Sequence, residues 1–159
     1  MDKRPTGYTL IELIIVITIM GLLVGASIAG FNTLNKRQTA TNAGKELMSV
    51  MRTAQERAVS GIKPTTCDQL VGYSVNGTAN SGTYTLKSVC MVGGSSTSSV
   101  VKTYQLPTGV TVVNTFSTQF NVQTGGANGT VGDISLKSSS YTFTLTVSSA
   151  GDITEKVLQ

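Results

Sequence analysis

From Leu13 to Asn35 the chain carries no charged residue, and residues 13–30 are nearly all apolar. As a helix rising roughly 1.5 Å per residue, that block is about 27 Å long, against a hydrocarbon core of about 30 Å. It is long enough to cross a bilayer with modest adjustment. One carboxylate, Glu12, stands at its lip, and "MDKR" precedes it with Lys3 and Arg4. Orientation follows positive charge, so the N-terminus is expected inside and the rest outside, after one crossing. A cleaved secretory signal is the competing reading, because "GASIAG" (25–30) supplies small residues. Its apolar region is normally about 7–15 residues, shorter than the block here.

The segment after the block keeps helical character. Ala43, Leu47, Val50, Met51, Ala54 and Ala58 recur at spacings of three and four and form one apolar stripe. Lys45, Glu46, Arg52, Gln55, Glu56 and Arg57 fall mostly off the stripe and are expected to stay in water. No proline interrupts Tyr8 to Lys63, and Gly61 with Pro64 supplies the stop. A single helix from about Tyr8 to Ser60 is predicted, with Gly21, Gly25, Gly30 and Gly44 as weak points where it can bend. "NKR" (35–37) reads as a charge collar where the helix leaves the outer face of the bilayer.

Beyond Pro64 short β-rich segments alternate with turn residues. Strands are expected at 70–76, 83–91, 100–106, 110–113, 118–123, 132–137, 141–149 and 152–157, with "SSAGDI" (148–153) as a hairpin turn. "VNGTANSG" (75–82), "VGGSSTSS" (92–99) and "TGGANGT" (124–130) read as loops. The predicted class is α+β: one long helix whose stripe covers one face of an antiparallel sheet.

Composition removes most enzyme classes. The 159 residues suit one domain, or one with an appendage, and include no His and no Trp. Histidine acid–base catalysis and histidine metal sites are therefore excluded. The Ser/Thr-rich stretches have no histidine base and read as solvated β-surface, so no enzyme, no cofactor and no metal are expected. A net charge of +4 with 13% charged residues makes no case for nucleic acid. Cys67 and Cys90 lack metal or redox spacing. In an oxidising compartment they are expected to form a disulfide, and otherwise to stay as two half-buried thiols. Asn76-Gly-Thr and Asn128-Gly-Thr match the glycan acceptor pattern, yet Asn-Gly is also a strong turn signal and is read so here. Asp133 and Asp152 sit beside glycines and are assigned to turns rather than to a cation.

The N-terminal hexad Gly7-Tyr8-Thr9-Leu10-Ile11-Glu12, followed by an uncharged apolar helix, resembles the cleavage and methylation signature of type IV pilins and type II secretion pseudopilins. The family pattern is a glycine before the cut, an aromatic residue (usually Phe) after it, then T-L-I-E. The resemblance implies that prepilin peptidase cuts between Gly7 and Tyr8 and that the new amine of Tyr8 is N-methylated. It further implies that Glu12 pairs with that amine on a neighbouring subunit in a filament. Tyr in place of Phe, and the absence of a mid-helix proline, depart from the pattern. The later helix and strands are similar in layout to H-type minor pseudopilins and T-type minor pilins. In some T-type proteins basic C-terminal residues accompany DNA capture; the tail "DITEKVLQ" is not basic, so DNA binding is not carried over.

The expected division is then a leader at 1–7, a transmembrane and filament-core helix at 8–34, an amphipathic helix half at 35–61 and a β-rich head at 62–159. The expected partners are the cytoplasmic membrane, prepilin peptidase, other pilin subunits and an assembly platform. The expected location is the cytoplasmic membrane, N-terminus in, and then an extracellular or periplasmic filament. The alternative function is a single-pass, membrane-anchored extracellular binding module for a ligand or DNA, without a filament.

Overall fold

The computed structural model describes residues 7–139 and 141–156, the side chains of residues 26–32 excepted. One helix, α1, runs Leu10–Val59 and is followed by nine strands. The chain divides into two compact units, Met1–Asn35 and Lys36–Gln159, with the boundary inside α1. Residues 1–6, which make up most of the expected leader at 1–7, and residues 157–159 lie outside the described part.

In the second unit the strands are β1 (Gln69–Gly77), β2 (Thr83–Val92), β3 (Ser95–Gln105), β4 (Val110–Val112), β5 (Phe116–Asn121), β6 (Ala127–Gly129), β7 (Gly132–Ser138), β8 (Tyr141–Val147) and β9 (Ile153–Lys156). They build two antiparallel sheets rather than the one expected: a five-stranded sheet ordered β3-β2-β1-β5-β6 and a four-stranded sheet ordered β4-β7-β8-β9. Alternation along a strand says which face is buried, not which neighbour it pairs with. Both sheets share one apolar core with the helix stripe. Leu47, Met51, Ala54 and Ala58 are fully buried with Tyr84, Leu86 and Phe120 of the first sheet and Ile134, Leu136 and Leu145 of the second. The fold class is therefore α+β with antiparallel sheets.

Several turn assignments do not hold. The stretch 92–99 is a two-glycine turn, Gly93 and Gly94 at φ 56° and 83°, after which β3 begins at Ser95. β3 is an edge strand exposed along nearly its whole length, so no buried face imposes an apolar alternation on its Ser/Thr residues. Asn76 lies inside β1, paired with Thr85 on one side and Ser117 on the other, not in a turn. Its neighbour Gly77 admits the Phe116 ring, which a Cβ there would meet at 2.4 Å. Asn128 belongs to β6, opposite Gln119. Asp133 is in β7 and ion-pairs with Lys156 of β9, and that bond holds its carboxyl below the usual range. Asp152 does serve a turn: its backbone N–H and carboxylate both bond the Ser148 hydroxyl.

Two helix residues have other roles than the pattern suggested. Gln55 is half-buried, and its Nε2 donates to Gly125 O and Gly151 O, both at 2.9 Å, tying a turn of each sheet to the helix. Gly44 is buried against Phe143, whose ring carbons lie 2.0–2.5 Å from where a Cβ would stand. Its lack of a side chain lets strand β8 close on the helix; it is no bending point by packing. Gly44→Ala is expected to lower the thermal midpoint. Overpacking costs about 1–3 kcal/mol, and the better helix propensity of Ala returns up to about 1 kcal/mol. An unchanged or higher midpoint in a melt would mean that the ring moves aside freely.

Cys67 and Cys90 form a disulfide, with Cα atoms 5.4 Å apart. It joins the loop before β1 to the far end of β2.

Candidate functional site at the start of the helix

Residues 10–25 of α1 are exposed on all sides. Tyr8 is 88% exposed, and Leu10, Leu13, Val16, Met20 and Leu23 are each more than half exposed. A helix that is apolar all round has to be covered by lipid or by other helices. Its one hydroxyl among residues 10–25, that of Thr18, bonds the Ile14 carbonyl within the helix. That leaves no polar group asking for water at this point. Among the described residues no helix is long and apolar enough to cross a membrane. Residues 26–30, which close the apolar block, fall where side chains are not described.

The helix begins with a capping box that pattern reading passed over. Glu12 N donates to Thr9 Oγ1 at 3.3 Å, while Glu12 Oε2 accepts from Thr9 N at 3.2 Å and from Thr9 Oγ1 at 3.1 Å. This is the reciprocal N-cap and N3 arrangement, and it satisfies N–H groups that a helix start leaves without partners. The signal was available in Thr9-x-x-Glu12 ahead of an apolar run. A negative charge here also suits the positive end of the helix dipole. The carboxylate is thus not a misplaced charge in an apolar element.

The cap uses only one of the two carboxylate oxygens. Among the described residues nothing donates to Oε1, and Glu12 lines an open hollow of about 380 Å³ with Tyr8, Leu13 and Val16. The arrangement can therefore hold its own helix start and still accept a cation from outside. Gly7 and Tyr8 precede the helix in exposed, non-helical chain. A Cβ on Gly7 would meet nothing within 4 Å, so packing inside the chain places no demand for glycine there.

Residues 2–28 match the family described as the prokaryotic N-terminal methylation motif. Over these residues the chain carries the prepilin-type N-terminal motif, which supports its resemblance to type IV pilins and pseudopilins. No match was found among curated proteins or among solved structures. The motif is one that implies processing by prepilin peptidase and a membrane-anchored N-terminus. Pilins and pseudopilins are in general structural proteins rather than enzymes. Among the described residues of this pilin-like chain, no group of three His, Cys, Asp or Glu side chains is placed to hold a metal.

Proposed function

We propose that this chain is a minor-type subunit of a type IV pilus-like or type II secretion filament, anchored by its N-terminal helix until assembly. In this reading the helix spans the cytoplasmic membrane once, N-terminus in, and is then drawn into a helical bundle where neighbouring helices replace lipid. The division follows: leader 1–7, membrane and filament-core helix 8–34, amphipathic half 35–61 and head 62–159. Prepilin peptidase cuts the bond between Gly7 and Tyr8, and the new Tyr8 amine is N-methylated. The amine of one subunit then pairs with Glu12 Oε1 of the next.

The observation that carries this reading is the unused Oε1 of Glu12 beside Tyr8, at the start of an apolar helix exposed along residues 10–25. A charge entering an apolar bundle requires a partner, because an uncompensated buried charge costs about 3–5 kcal/mol. The exposed chain at Gly7–Tyr8 and a glycine that packing does not require support the cleavage position.

Mass spectrometry of the protein from cells with an active prepilin peptidase tests it. A mature chain beginning at N-methyl-Tyr8 is expected. An intact chain that retains Met1 would overturn the processing step and favour the anchored binding module.

A further inference from the structure

At the start of the second unit, Arg37 and Thr41 of α1 face Tyr141 and Thr142 of β8 and Glu155 and Lys156 of β9 across a cavity of about 260 Å³. The Arg37 guanidinium lies 5.4 Å above the centroid of the Tyr141 ring. A cation over an aromatic face is attracted by the ring's quadrupole, and the fork of guanidinium N–H groups can still grip an oxyanion. Among the described residues, Lys156 is taken up by Asp133, whereas neither the Arg37 guanidinium nor the Glu155 carboxylate has an ion-pair partner. The cavity thus offers one uncommitted cation and one uncommitted anion that do not neutralise each other.

That charge pattern selects a ligand bearing both signs. A phosphate suits the fork of Arg37, and a primary amine suits Glu155, with the Thr142 hydroxyl beside them. The cavity is smaller than the roughly 300–1,000 Å³ of drug-sized pockets, which is the scale of a headgroup. Lys36 and Arg37 are the first charges after Glu12, immediately beyond the uncharged segment. Headgroups are what a cation so placed meets first, and tyrosine is enriched at that level. We infer that this cavity binds a phosphoethanolamine headgroup, with Arg37 holding the phosphate and Glu155 the amine. The inference that the headgroup is a lipid's rests on the membrane reading above; the site's chemistry does not.

The test uses the full chain in a neutral detergent, titrated calorimetrically with glycerophosphoethanolamine, glycerophosphocholine and inorganic phosphate. Glycerophosphoethanolamine is expected to bind at least tenfold tighter than the other two. Arg37→Ala and Glu155→Gln are each expected to weaken it tenfold or more, with unchanged urea midpoints. Equal binding of glycerophosphocholine, whose ammonium has no N–H, would overturn the role of Glu155. No binding, or binding indifferent to both substitutions, would overturn the site. Flotation with vesicles, and retention of phosphatidylethanolamine over phosphatidylcholine in native mass spectrometry, separate the sources. A chain that floats without selectivity and binds no soluble probe loses this site but keeps its anchor. A chain that binds the soluble probe yet does not float keeps the site for a free phosphoethanolamine ester and loses the anchor.

Discussion

Glu12→Gln is expected to enter the membrane, to be cleaved, and then to fail in filament incorporation as severely as Glu12→Ala. The two substitutions separate the two uses of this carboxylate. Glutamine serves at the N3 position of a capping box nearly as well as glutamate, so the bonds between Thr9 and residue 12 survive in Glu12→Gln. What it lacks is the charge. If Oε1 is there to meet a neighbour's amine, that amine enters the apolar bundle uncompensated, at a cost of about 3–5 kcal/mol. At about 1.4 kcal/mol per factor of ten, incorporation falls by a factor on the order of a hundred or more. Immunoblots of sheared filaments, normalised to subunit in the membrane fraction, measure this. Assembly by Glu12→Gln alongside failure of Glu12→Ala would assign the carboxylate to capping and remove the pairing from the mechanism.

The parts of the fold that could be read in advance share one property: a single buried face. The stripe Ala43, Leu47, Val50, Met51, Ala54 and Ala58 is buried at every position, and α1 ends within a residue or two of the expected limits. In β8 the expected inward residues Phe143, Leu145 and Val147 are likewise buried, while Tyr141 is only half-buried and Thr144, on the other face, is buried as well. Where no face is buried, the signal thins, so that the strand expected at 100–106 caught only the second half of β3. β3 turns both faces to solvent, and β6 is three residues long at a sheet edge. Gly44 and Gln55 escaped for a different reason. Their roles depend on Phe143, Gly125 and Gly151, far off in the chain, and periodicity carries no information about such partners.

The candidate site divides in the same way. Glu12 announces itself because it is the only charge between Arg4 and Lys36, and its bond to Thr9 follows a local spacing. The stacking of Arg37 on Tyr141 joins the first charged stretch after the apolar block to the eighth strand, and only the folded chain brings them together. Sequence also left the state of the two cysteines conditional on the compartment, whereas geometry closes the bridge.

Replacing both cysteines, as Cys67→Ala with Cys90→Ala, is expected to destabilise the second unit by about 3 kcal/mol. The bridge spans a sequence separation of 23, and in the chain-entropy account a loop of that length removes about 3 kcal/mol of freedom from the unfolded chain. The folded state has little slack to return. Cys67 and Cys90 are 3% and 6% exposed, and the closed loop contains β1 and most of β2, neighbouring strands within the five-stranded sheet. The same loop fastens the end of the helix, since Tyr73 of β1 donates its hydroxyl to Ile62 O at 2.7 Å. Opening the bridge therefore loosens the sheet and the helix terminus together. With a urea slope of about 1–3 kcal/mol per molar, the unfolding midpoint should fall by about 1–3 M in the double variant, and by a similar amount when the unsubstituted chain is unfolded under reductant. A midpoint that reductant leaves in place would mean that packing of the helix stripe alone holds the unit, and that the disulfide is incidental to its stability.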